Sequence, residues 1–62
     1  MFNLFDCTAG RKVLVLRFAS VEAAKAHAVE LYGAIAGEDQ EDGYIDLLTV
    51  RGAVLAIEPD AE

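Results

Sequence analysis

The sequence has one cysteine, one proline, one histidine and no stretch approaching the roughly 20 apolar residues of a membrane span. The lone Cys7 excludes an intramolecular disulfide, and no Cys/His pattern is present to hold a structural zinc. Residues 1–62 make a single domain, and a chain that short buries only about 60% of the surface its unfolded form exposes. With neither disulfide nor metal to staple so small a core, association is the remaining common source of stability. The segment Met1-Phe2-Asn3-Leu4-Phe5-Asp6 lacks the basic start and long apolar run of a secretory signal, so the expected location is cytoplasmic.

Positive charge is scarce in the second half of the chain. From residue 37 to 62, Glu38, Asp39, Glu41, Asp42, Asp46, Glu58, Asp60 and Glu62 stand against Arg51 alone, whereas residues 1 to 36 balance Arg11, Lys12, Arg17 and Lys25 against Asp6, Glu22 and Glu30. A field of this kind attracts a basic surface and repels nucleic acid and anionic membranes. Hydrophobic residues make up 55% of the chain, but eleven of them are alanines. The core must come from the Val, Leu, Ile, Phe and Tyr side chains.

The run Lys12 to Phe18 is too short and too rich in branched residues for a helix and reads as a strand, with Leu14, Leu16 and Phe18 sharing one face. Phe2 to Cys7 reads as a second, weaker strand joined to it through a turn at Gly10. Ser20 is placed to N-cap a helix and Glu22 to complement its positive end. At 100° per residue, Val21, Ala24, Lys25, Ala28, Leu31, Tyr32 and Ile35 fall on one side, with Gly37 as the stop. The opposite side carries Ala23, Ala26, Glu30, Gly33 and Ala34 and is smooth enough to approach another backbone. Glu38 to Gly43 reads as a solvated loop. Tyr44–Val50 and Ala53–Glu58 then pair as a hairpin around Arg51-Gly52, with Pro59 ending the last strand and Asp60-Ala61-Glu62 as a tail. A two-residue loop sets Leu48 opposite Leu55 and Asp46 opposite Ile57, while a three-residue loop with a bulge shifts this register by one.

The predicted fold class is α+β, a single helix packed on a small antiparallel sheet in the order ββαββ, or βαββ without the first strand. One helix covers one face of such a sheet, yet both faces carry apolar residues. Either Phe2, Leu4 and Phe5 fold over the second face, or the sheet curls on itself, or a partner covers it.

Residues that could carry catalysis are few. Cys7 and His27 are the one nucleophile-and-base pair, and no local signature surrounds either, so no catalytic residue is assigned. Setting Gly43 on the invariant glycine of a calcium-binding helix-loop-helix places Thr49 where a bidentate Glu is required, and no metal site is assigned. No Gly-rich phosphate loop opens a helix, and no cofactor is expected. Arg11, Lys12 and Arg17 on a chain of net charge −6 do not make a nucleic-acid footprint.

The acidic residues remain. Glu38, Asp39, Glu41 and Asp42 lead into Asp46, and Glu58 returns to the same sheet end on the neighbouring strand, so these six are expected to converge into one patch. Duplex DNA carries about one phosphate charge per 1.7 Å of axis, a density that such a cluster imitates. In size and charge, and in no motif, the chain resembles the acidic DNA-mimic inhibitors that phages direct at restriction or CRISPR machinery. That resemblance is one of bulk properties and assigns no residue a role. The expected function is a small, non-enzymatic binding protein that engages a basic protein surface, with no direct contact to nucleic acid or membrane. The alternative is a homodimeric accessory module in which the apolar sheet face or the Ala/Gly helix face makes the dimer.

Overall fold

The computed structural model describes residues 1–60. Of the tail expected at Asp60-Ala61-Glu62, Asp60 is held in place, its N–H donating to the Met1 carbonyl at 2.9 Å, and residues 61–62 lie outside the described residues. The elements run β1 (Phe2–Asp6), β2 (Val13–Phe18), α1 (Val21–Tyr32), β3 (Ile35–Glu41), β4 (Tyr44–Thr49) and β5 (Val54–Pro59). All five strands form one antiparallel sheet in the order β2-β1-β5-β4-β3. The expected ββαββ order is therefore corrected to ββαβββ, and half of the described residues lie in strands. The fold is β-rich, with one helix across one face.

The extra strand is the acidic segment read as a loop. β3 carries Glu38, Asp39 and Glu41 along a sheet edge, where side chains stay in water on both faces and charge blocks edge-to-edge pairing. Its turn is built by Asp42 (φ 53°) and Gly43 (φ 83°), two successive positive φ values that match the twist of a two-residue hairpin. Asp-Gly is a strong sequence signal for that turn.

β1 also forms, and it lies inside the sheet between β2 and β5. Leu4 is fully buried beside Ile57, with Phe2 opposite Pro59 at one end of the strand. The helix begins as expected, with the Ser20 hydroxyl oxygen accepting the Ala23 N–H at 3.2 Å and Glu22 in the first turn. It stops earlier than expected. Gly33 rather than Gly37 is the C-cap, donating its N–H to the Val29 carbonyl at 2.9 Å, so Ile35 opens β3 instead of extending the helix. The helix meets the sheet through Ala24 and Ala28, with Val21 and Tyr32 beside them, and Leu31 points into water at 52% exposure. Leu31 is thus corrected from core to surface.

The β4–β5 connection takes the bulged alternative. Gly52 (φ 90°) occupies the left-handed position that a bulged turn needs, its N–H bonds the Thr49 carbonyl at 3.0 Å, and the buried Thr49 hydroxyl accepts the Ala53 N–H at 3.0 Å. Leu47 therefore pairs with Leu55, Leu48 with Val54 and Asp46 with Ala56, rather than Leu48 with Leu55 and Asp46 with Ile57. A one-residue shift exchanges the faces. Ile45, Leu47, Leu55 and Ile57 fill the core under the helix, and Leu48 and Val54 turn outward. A second irregularity inserts Val15 between Leu14 and Leu16 against the Leu4–Phe5 step of β1. Val15 and Phe18 pack against the core while Leu14 stays half exposed, so the expected single face of Leu14, Leu16 and Phe18 is broken.

Among the described residues, no helix is long and apolar enough to cross a membrane.

Candidate functional site

Cross-strand partners in an antiparallel sheet share a face, so the register sorts every strand residue onto the helix-covered side or the open one. On β3, Glu38 pairs with the buried Leu47 and Gln40 with the buried Ile45, which puts both on the covered side. Asp39 and Glu41 alternate to the open side, opposite Asp46 and Tyr44. Asp42 sits at the hairpin tip.

The six acidic residues expected to converge are divided accordingly. Glu38 reaches toward the helix, where its carboxylate accepts from Lys25 Nζ at 2.7 Å and Gln40 Nε2 at 2.6 Å. The Lys25 ammonium, followed by the Gln40 amide, holds the Glu38 carboxyl below its usual range. Glu58, opposite Asn3 on the open side, is paired with Lys12 Nζ at 2.7 Å. The same ammonium stands 5.2 Å from the centre of the Phe5 ring, and the bond to Glu58 raises the Lys12 pKa. Asp39, Glu41, Asp42 and Asp46 form the remaining group. Among the described residues no cation lies within ion-pair distance of these four.

Beside them lies apolar surface. Leu14, Leu48, Val54 and Tyr44 on the open side are 50%, 48%, 42% and 51% exposed, around a floor of Phe5 and the buried Ala56. Across the open face, Lys12 and Arg17 on the β2 side are each ion-paired, with Glu58 at 2.7 Å and Asp60 at 3.5 Å, an apolar middle follows, and the excess negative charge lies at Asp46, Asp39 and Glu41. Charge counting located the acids. The Lys12–Glu58 pair and the outward-facing Leu48–Val54 pair were not found from the sequence; the signal for the second was Gly52, which sets the β4–β5 register.

Cys7 and His27 are on opposite sides of the sheet. The Cys7 N–H bonds the Val54 carbonyl at 2.8 Å at the end of β1, and burial pushes its thiol pKa up. His27 lies on the helix with its ring 5.2 Å from that of Phe18. A thiol held protonated and separated from the imidazole by a sheet is a poor nucleophile. Among the described residues no group of three or more His, Cys, Asp and Glu side chains converges as a metal site would require.

Asn3 carries the one buried side-chain oxygen among the described residues without a hydrogen-bond partner, its Oδ1 lying between the Arg17 and Glu58 register positions. No family model, curated protein or solved structure matches the chain.

Proposed function

We propose that the chain is a non-enzymatic protein-binding module that acts in the cytoplasm and engages a basic surface of a partner through its open sheet face. The observation that carries this reading is the group of four carboxylates without cations, Asp39, Glu41, Asp42 and Asp46, set beside the exposed Leu48, Val54 and Tyr44. A matching partner presents apolar side chains to the middle of the face and arginine or lysine to the β3–β4 side. Grooves that hold nucleic acid offer such a surface, because their long basic side chains carry apolar stems beneath charged heads. Occupying one would inhibit it, with no contact between this chain and the nucleic acid itself.

The test is titration of the protein with a peptide of alternating leucine and arginine, followed by amide chemical shifts. Shifts confined to β3, β4 and β5 are expected, with affinity that falls as salt rises from about 0.1 M to 1 M, since the screening length drops from about 10 to 3 Å. Neutralising Asp39, Glu41, Asp42 and Asp46 together should slow association without unfolding the chain. Full affinity in that variant would overturn the reading.

A further inference from the structure

We propose that the open face is the seat of an amphipathic α-helix of the partner, about three to four turns long, with an apolar stripe toward the sheet and arginine or lysine along one flank. The proposal rests on the preceding reading, because it takes the same face and names the element that fills it.

A sheet face offers side chains and no backbone groups, because the N–H and C=O groups of β1, β5 and β4 point along the sheet to neighbouring strands. An extended segment laid on it would bury its own N–H and C=O groups without partners. A helix satisfies those groups within itself. Its size fits as well. Phe5, Val54, Ala56 and Leu48 stand on the neighbouring strands β1, β5 and β4, so the apolar floor spans two strand spacings, about 10 Å, close to the roughly 10–12 Å diameter of a helix. A second sheet as wide as this one would meet the charged strands on either side of that floor. β4 and β5 have 6 residues each, about 20 Å of strand, which a helix of about 13 residues spans. The covered face already carries a helix of that kind, α1, with 12 residues.

The charges fix what the helix carries on its flanks. On the β2 side Lys12 and Arg17 are matched by Glu58 at 2.7 Å and Asp60 at 3.5 Å, so that border asks for no further charge. On the β3–β4 side Asp39 and Asp46 stand opposite one another, and among the described residues no cation lies within ion-pair distance of either. Positive charge is therefore complementary along one flank of the helix only. Between the two borders the small, buried Ala56 leaves a low point bounded by Phe5 on β1, Asp46 on β4 and Val54 on its own strand. A leucine of the helix seats there, and an arginine one turn away lays its stem over Leu48 and carries its head to Asp46.

The experiment titrates the full chain with three synthetic peptides and follows amide chemical shifts and far-UV circular dichroism. The first is a helix-forming peptide of about 14 residues with leucine at every third or fourth position and arginine along one flank. The second is the same peptide with proline at its centre, and the third alternates leucine and arginine. The first should bind and gain helical signal, with shifts at Phe5, Leu48, Val54 and Ala56. The second should bind about 100-fold more weakly, since a proline disfavours a helix interior by a factor of that order. Val54→Asp, at an exposed position, should weaken the first peptide by about tenfold or more, because it sets a charge against the apolar stripe. Should that variant unfold, Leu48→Asp serves instead. Equal affinity for the first two peptides, or binding of the third alone, overturns the helix and leaves the partner-binding reading standing. Failure of both the first and the third overturns that reading and the proposal together. A native chain that sediments at twice its 6.7 kDa mass, and as a monomer after Val54→Asp, would put a second copy on the face and overturn the proposal as well.

Discussion

Asp39 on β3 and Asp46 on β4 are directly opposite one another in the register, on the face that the helix leaves open. Like charges in that position destabilise a strand pair, by roughly the 0.2–1 kcal/mol that a favourable pair contributes. In dilute solution Asp39→Asn should therefore raise the melting temperature, by up to about 8 °C for a domain of this size, and the gain should shrink with added salt. A variant that melts lower than the parent at low salt would mean that the two carboxylates are not in repulsion.

Leu31→Ala should change stability by less than about 0.5 kcal/mol, because the side chain is half in water. Leu55→Ala, at a fully buried position on the middle strand, should cost about 2–5 kcal/mol. Urea denaturation of the two proteins side by side separates these outcomes, and equal losses would show that the helix is rotated from the orientation described.

The helix shows where sequence periodicity reaches its limit. A stripe at 3.6-residue spacing was legible, and so were its N-cap at Ser20 and the strand β2 that precedes it. The stripe's centre was not. Ala24 and Ala28 carry little apolar weight, so a reading by side-chain size is drawn toward Leu31, which lies roughly 65° from the direction that Val21, Ala24, Ala28 and Tyr32 share. Small residues at the contact let the helix backbone sit close to the sheet, and Leu31 is left at the flank. β3 was missed for a related reason. An edge strand with water on both sides need not alternate apolar and polar residues, so Ile35-Ala36-Gly37-Glu38-Asp39-Gln40-Glu41 gives no period-2 signal. What betrays it is the Asp42-Gly43 turn and the apolar strand that follows. The acidic residues were legible as a charge excess. Their division between two faces depends on that hairpin, and so could not be read from composition.

Two polar residues in the sheet should respond oppositely to removal. Thr49 is buried and its hydroxyl oxygen satisfies the Ala53 N–H, so Thr49→Val should cost about 1–3 kcal/mol by orphaning that donor. Asn3 has a shielded oxygen with no partner, so Asn3→Leu, of similar size, should be neutral or stabilising. Thermal melts of both variants decide the matter. A strongly destabilised Asn3→Leu would reveal that the amide is engaged.

Acid should weaken the fold through Asp6 and Glu38. The Thr8 backbone N–H, 2.9 Å from Asp6 Oδ1, and the Thr8 side chain lower the Asp6 pKa, as Lys25 and Gln40 lower that of Glu38. Groups whose folded pKa is depressed stabilise the native state above their unfolded values, and this contribution is lost as pH falls through the folded values. Stability should thus hold from neutral pH to about 5 and decline below about 4. Glu38→Gln should flatten part of that decline in urea titrations run across the acid range. An unchanged slope would remove the Lys25–Glu38 pair from the account.

The strand order has a consequence for how the chain comes into being. β1 is synthesised before β2, β3 and β4, and β5 after them, yet β1 and β5 are neighbours inside the sheet, and the Asp60 N–H closes on the Met1 carbonyl at 2.9 Å. During translation β1 and β2 emerge as a hairpin with an apolar edge awaiting a neighbour, and the helix has only that hairpin as its floor until β5 has cleared the ribosome. Contacts of such long sequence separation form slowly, and a nascent chain of this kind depends on rapid completion, or on a chaperone, to keep that edge from pairing elsewhere.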